Sequence, residues 1–74
     1  MNFRATLVHD HGSAKVMVVD ISRDGLGMRP SPECAIGSRV SIDFEFGRSL
    51  RGTITRKDAN GAGMIFASPL VFRL

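Results

Sequence analysis

A chain of 74 residues with 43% hydrophobic and 23% charged residues can build one small core and no second domain, and it is too apolar for a disordered segment. No apolar run approaches the roughly 20 residues that span a bilayer, the amino-terminal stretch around Arg4 lacks a signal-peptide core, and the lone Cys34 forms no internal disulfide, so one cytoplasmic domain over residues 1–74 is expected. The net charge of +3 favours an anionic partner mildly, although the Lys and Arg residues are scattered and form no basic tail.

Taken in chain order, "FRATLV" alternates, with Phe3, Ala5 and Leu7 on one face and Arg4 and Thr6 on the other. "HDHGS" reads as a turn. "AKVMVVDIS" is apolar almost throughout, a strand covered on both faces over part of its length. "RDG" and "RPSPE" are turn clusters, and only "SPECAIG" has room for one helical turn, since Gly27, Pro30 and Pro32 do not suit a helix. "RVSIDFEF" alternates Val40, Ile42, Phe44 and Phe46 with polar residues, predicting a strand with one face buried. "LRGTITRK" sets Leu50 and Ile54 opposite Arg51, Thr53 and Thr55. "DANG" carries an Asn-Gly pair that favours positive φ and a hairpin, and "AGMIF" is a last short strand. Short strands at this spacing predict a small antiparallel barrel without substantial helix. The tail "SPLVFRL" carries Val71, Phe72 and Leu74 with no turn after it, which suits either a barrel end or a contact with a partner, a second copy included.

Catalytic chemistry finds little support. "HDH" at 9–11 has two imidazoles and a carboxylate, but a zinc framework needs further Cys or His ligands, and no metal site is expected. Asp43 and Glu45 share a strand face, where alternation with core residues explains them as a wet surface. Ser22 lacks the preceding glycine and the later histidine of a nucleophile elbow. "GLG" and "GAG" lack the helix of a dinucleotide site and read as turn glycines. Cys34 has no adjacent histidine to activate it and reads as a turn or core residue. A non-enzyme without a cofactor is the expectation. Small basic barrels that bind single strands stack bases on exposed aromatics. Here Phe3, Phe44, Phe46 and Phe66 sit among apolar neighbours and read as core, so no DNA or RNA partner is expected.

One stretch remains, "DISRDGLGM", in which Asp20, Ser22 and Gly25 make the pattern D-x-S-x-x-G at the end of an apolar strand. A carboxylate can accept both N1–H and the exocyclic amine of guanine, and a hydroxyl can donate to its carbonyl or N7. Glycine contributes positive φ and close approach. The same residues also make a turn whose side chains bond their own backbone, with no ligand at all. With the order of segments that follows it ("IGSRVSIDFEF", "LRGTITR", "GAGMIF"), the arrangement from about Phe3 to Phe66 resembles the PilZ domain, a bacterial receptor for cyclic di-GMP.

The resemblance implies a six-stranded Greek-key barrel, with Asp20 and Ser22 facing guanine and Gly25 letting the backbone turn. It also implies a phosphate clamp of sequence R-x-x-x-R ahead of the first strand, a place that here falls at or before Met1. The only upstream arginine is Arg4, with Leu7 and Val8 where a second would be sought, so the clamp is expected to be missing. Two functions follow. In one the domain binds cyclic di-GMP with Arg4, Arg23 or another basic side chain at the phosphates. In the other it is a PilZ-like adaptor that has lost the ligand and works on a protein effector, through the apolar tail.

Overall fold

Period-two patterning becomes six strands: β1 (Phe3–His9), β2 (Gly12–Ile21), β3 (Gly25–Arg29), β4 (Arg39–Phe44), β5 (Ser49–Lys57) and β6 (Ala62–Phe66). The computed structural model describes residues 2–68, which include no helix; the tail residues Val71, Phe72 and Leu74 lie outside the described residues. Every pairing is antiparallel, and the strands close in the order β1-β2-β3-β6-β5-β4. Two three-strand meanders are thus joined by the connection over residues 30–38, which brings β4 back beside β1. This is the Greek-key order, and closure leaves no long unpaired edge.

The core is assembled one strand at a time. Leu7, Val18, Met28, Ile42 and Ile54, from β1 to β5 in turn, are fully buried, and Met64 joins them from β6. Each such side chain contributes about 1.5–3 kcal/mol of transfer free energy. Outward-facing Met17 and Val19 are half-buried, so β2 is partly covered on both faces, as its apolar run predicts. Cys34 is also in the core, where burial pushes its thiol pKa up against a smaller lowering by Lys57. It packs in the core, and the raised pKa disfavours its thiolate form.

Three expectations are corrected. Phe46 is 68% exposed rather than buried. β4 ends at Phe44, and a four-residue loop follows in which Phe44 C=O accepts from Gly47 N–H at 3.0 Å and Phe44 N–H donates to Arg48 C=O at 2.8 Å. Gly47 takes φ 92° there, and the alternation that placed Phe46 inward stops one residue before it applies. Second, "SPECAIG" forms bends and a turn closed from Ser38 N–H to Ala35 C=O, not a helical turn. Third, the Asn60-Gly61 turn uses no positive φ. Asp58 makes it instead, its Oδ1 accepting from Asn60 N–H at 2.8 Å and from Gly61 N–H at 3.0 Å.

Gly61 matters for proximity. A Cβ there would collide with the Met28 carbonyl of β3, and a Cβ at Gly25 would collide with the Met64 carbonyl of β6. Both contacts lie across the β3–β6 seam. Gly61→Ala is therefore expected to lower stability by about 1–3 kcal/mol, a fall in Tm of at least about 4 °C for a domain this small. Gly47→Asn, at an open left-handed position, is expected to stay within a few degrees of the parent; thermal denaturation of both variants checks the pair.

The two backbone donors at Asn60 and Gly61 hold the Asp58 carboxyl below the usual carboxylate range, and Arg56 acts in the same direction. A lowered folded pKa means that its stabilising effect is present above the unfolded pKa and is lost as pH falls through the folded one. The side-chain carboxyl resonance of Asp58 is expected to titrate below the ordinary aspartate range. Asp58→Ala is expected to speed amide exchange at Asn60 and Gly61 at neutral pH.

Candidate functional site

Two β-bulges shape the outer face between β2 and β5. On β2 the register moves from Val18↔Met28 to Asp20↔Gly27, with Val19 as the extra residue. On β5 it moves from Ile54↔Met64 to Arg56↔Gly63, with Thr55 as the extra residue. Gly27 and Gly63 are themselves partners across β3 and β6. Asp20, Gly27, Gly63 and Arg56 therefore form one row across four strands. Leu26, Met28 and Met64 point into the core, so the row faces outward. Bulges commonly re-aim a side chain, and here one precedes each charged end of the row.

The row forms the floor and sides of an open hollow of about 260 Å³, which Ser22, Asp24 and Gly25 also line. Two glycines in the middle leave the floor without side chains. Nη2 of Arg56 would lie 3.7 Å from a Cβ at Gly27, and Cβ of Asp20 lies 3.8 Å from that same point. The base of the Asp20 side chain and the Arg56 guanidinium thus both lie beside one glycine. Nη1 of Arg56 donates to Oδ2 of Asp58 at 2.9 Å. Both partners of that ion pair are at least half exposed, so it orients the arginine more than it stabilises the fold. Nε and Nη2 point the other way, each 3.2 Å from where a Cβ of Gly63 would stand.

The sequence-predicted residues divide between this hollow and elsewhere. Asp20 is exposed at the end of β2, and among the described residues its carboxylate accepts no hydrogen bond and forms no ion pair. Ser22 is partly committed: its N–H donates to Gly25 C=O at 2.8 Å and its hydroxyl to the same oxygen at 3.3 Å. That is the self-bonded turn, realised at Ser22 and not at Asp20. Gly25 has no positive φ; it starts β3, buried against β6, and serves close packing rather than a change of chain direction. Arg23 is exposed in the turn between Ser22 and Asp24 and does not line the hollow. Arg4 sits opposite Met17 on β1 and lines a separate hollow with Lys15, Arg29 and Glu45.

Sequence reasoning missed Arg56, Gly27 and Gly63. The "GLG" and "GAG" glycines, read as turn residues, are mostly strand residues: Gly25 and Gly27 belong to β3 and Gly63 to β6. The available signal was a pair of GxG segments in two strands that could oppose one another. A larger depression of about 660 Å³ beside β1, β4 and β5 is lined by Asp10, Arg39, Arg51 and Gly52 among others, and none of the sequence-predicted site residues reaches it. His9 and His11 stack edge to face in the exposed β1–β2 turn. No three His, Cys, Asp or Glu side chains gather into a metal-binding group among the described residues, and no helix there is long and apolar enough to cross a membrane.

Chemically, the hollow offers an acceptor pair at Asp20 and a donor pair at Arg56, with room for a flat or angular group between them. Comparison with curated proteins returns no match. A family model of the PilZ domain matches residues 1–71, nearly the whole chain, in agreement with the closed Greek-key barrel and its strand order. The chain belongs to the PilZ domain family, non-catalytic domains that generally bind cyclic di-GMP in signalling.

Proposed function

We propose that this chain is a cytoplasmic cyclic di-GMP receptor, acting as a single domain, whose guanine-facing half is the turn of Asp20, Ser22 and Gly25. The observation that supports it is the Asp20 carboxylate, exposed at the hollow and engaged with no other described group. A guanine edge with two adjacent donors matches it. The Ser22 hydroxyl gives up only a long 3.3 Å bond to turn toward a ligand. Arg23 belongs to the same turn and is the nearer of the two phosphate-facing candidates. Arg4 stands across β2 with Arg29 and Lys15, a position that serves only a ligand extending along β2 past Met17.

Calorimetric titration with cyclic di-GMP tests this reading. Binding is expected, and Asp20→Ala is expected to weaken it about tenfold or more, the scale of a charged hydrogen bond. The melting temperature should stay within a few degrees, because Asp20 supports no core contact. An absence of binding by the folded parent chain would hand the lead to the second reading.

That second reading is an adaptor that contacts a protein, a further copy included. Its specific support is Phe46, stacked on Phe44 with ring centroids 5.0 Å apart and edge-on to Phe3 at 6.3 Å, so that an aromatic corner projects from the β4–β5 loop. Exposed apolar groups of this kind mark contacts when they gather. Phe46→Ser is expected to leave the fold intact and to lower self-association measured by sedimentation. Unchanged sedimentation, with the parent already monomeric at high concentration, would remove Phe46 as a self-contact.

A further inference from the structure

We propose that Arg56 is the oxyanion-binding residue of the Asp20 hollow, gripping a phosphate group through its Nε–Nη2 edge. This rests on the receptor reading for the identity of the ligand, but not for the existence of the anion site.

The geometry assigns the three nitrogens different tasks. Nη1 is held by Asp58 at 2.9 Å, and Asp58 is itself fixed by the two N–H groups of the β5–β6 turn. That pins the plane of the guanidinium from behind. The remaining edge, Nε with Nη2, is the fork that donates two parallel hydrogen bonds to two oxygens of a phosphate or carboxylate. It is directed over Gly63 and toward Gly27, and no described residue accepts from it. A side chain at 63 would stand in front of it, with its Cβ 3.2 Å from both nitrogens. Glycine at 63 and at its partner 27 keeps the approach open from above.

Position adds a second argument. Thr55 is the extra residue of the β5 bulge, and the register shift it causes is what sets Arg56 opposite Gly63. Without that shift Thr55 would oppose Gly63 and Arg56 would pair one place farther on, at Ala62, whose side chain is buried in the core. The bulge therefore puts the cation into the same outward row as Asp20. The two charged groups flank the glycine floor without touching each other, so that a ligand carrying both a donor edge and an anionic oxygen meets a complementary group at each end. A phosphorylated purine has both features. The shared oxyanion chemistry is also present in inorganic pyrophosphate, which lacks the donor edge.

The test follows the Arg56 Nε–H resonance by NMR in the full chain, assigned from its loss in Arg56→Lys, while cyclic di-GMP or inorganic pyrophosphate is added. Cyclic di-GMP is expected to shift that resonance. Arg56→Gln is expected to weaken cyclic di-GMP binding about tenfold or more and to flatten its dependence on salt, with an unchanged thermal midpoint. Arg56→Lys should restore less than half of the lost binding free energy, because an ammonium has charge but no fork. If the parent and Arg56→Gln bind cyclic di-GMP equally and Nε stays still, or if Arg56→Lys binds as the parent does, the forked grip is wrong while the Asp20 reading survives. If cyclic di-GMP fails to bind but pyrophosphate moves Nε in the parent and loses affinity in Arg56→Gln, the anion site stands and the receptor reading falls. If cyclic di-GMP does not bind and pyrophosphate leaves Nε unmoved, both fall.

Discussion

The pairing of β3 with β6 is the constraint on which the rest of the molecule depends. These strands come from opposite meanders and their paired residues lie about half the chain length apart, so loop-closure entropy opposes their meeting until the core rewards it. Backbones approach so closely that Gly25 and Gly61 have no room for a side chain. Where the seam is made, Met28 and Met64 come together inside the barrel, and Gly27 and Gly63 come together outside it. Core and candidate site are two faces of one ladder.

That ladder also explains what could be read in advance. Val40, Ile42 and Phe44 announce β4 because their environment depends only on alternation about the strand axis. Phe46 obeys the same spacing but follows the end of the strand, where a turn with Gly47 at positive φ sets side-chain direction instead. Asn60-Gly61 marks its turn correctly for a different reason, since Asp58 bonds both amides and the glycine yields to the Met28 carbonyl. Local chemistry was legible in each case; the competition between two local explanations was not.

The candidate site was half legible on the same terms. Asp20, Ser22 and Gly25 lie within six consecutive residues, so a short motif can carry them. Arg56 and Gly63 enter through a partnership between strands remote in sequence, and through a one-residue bulge that no periodicity announces. The glycines of "GLG" and "GAG" invited a turn reading because a glycine inside a strand is unfavourable unless something must pass close to it. Here something does: β6 against β3 at Gly25, and the guanidinium above Gly63. Arg4 shows the converse case, a residue attractive by its place in the chain that folds toward a different depression.

The row from Asp20 to Arg56 straddles the junction of the two meanders, with Asp20 and Gly27 on one and Gly63 and Arg56 on the other. A molecule that holds both ends is a staple across that junction, and by linkage whatever binds only the closed form opposes its opening. Occupancy would then be felt most strongly as reduced breathing between the halves, and only weakly within either hairpin.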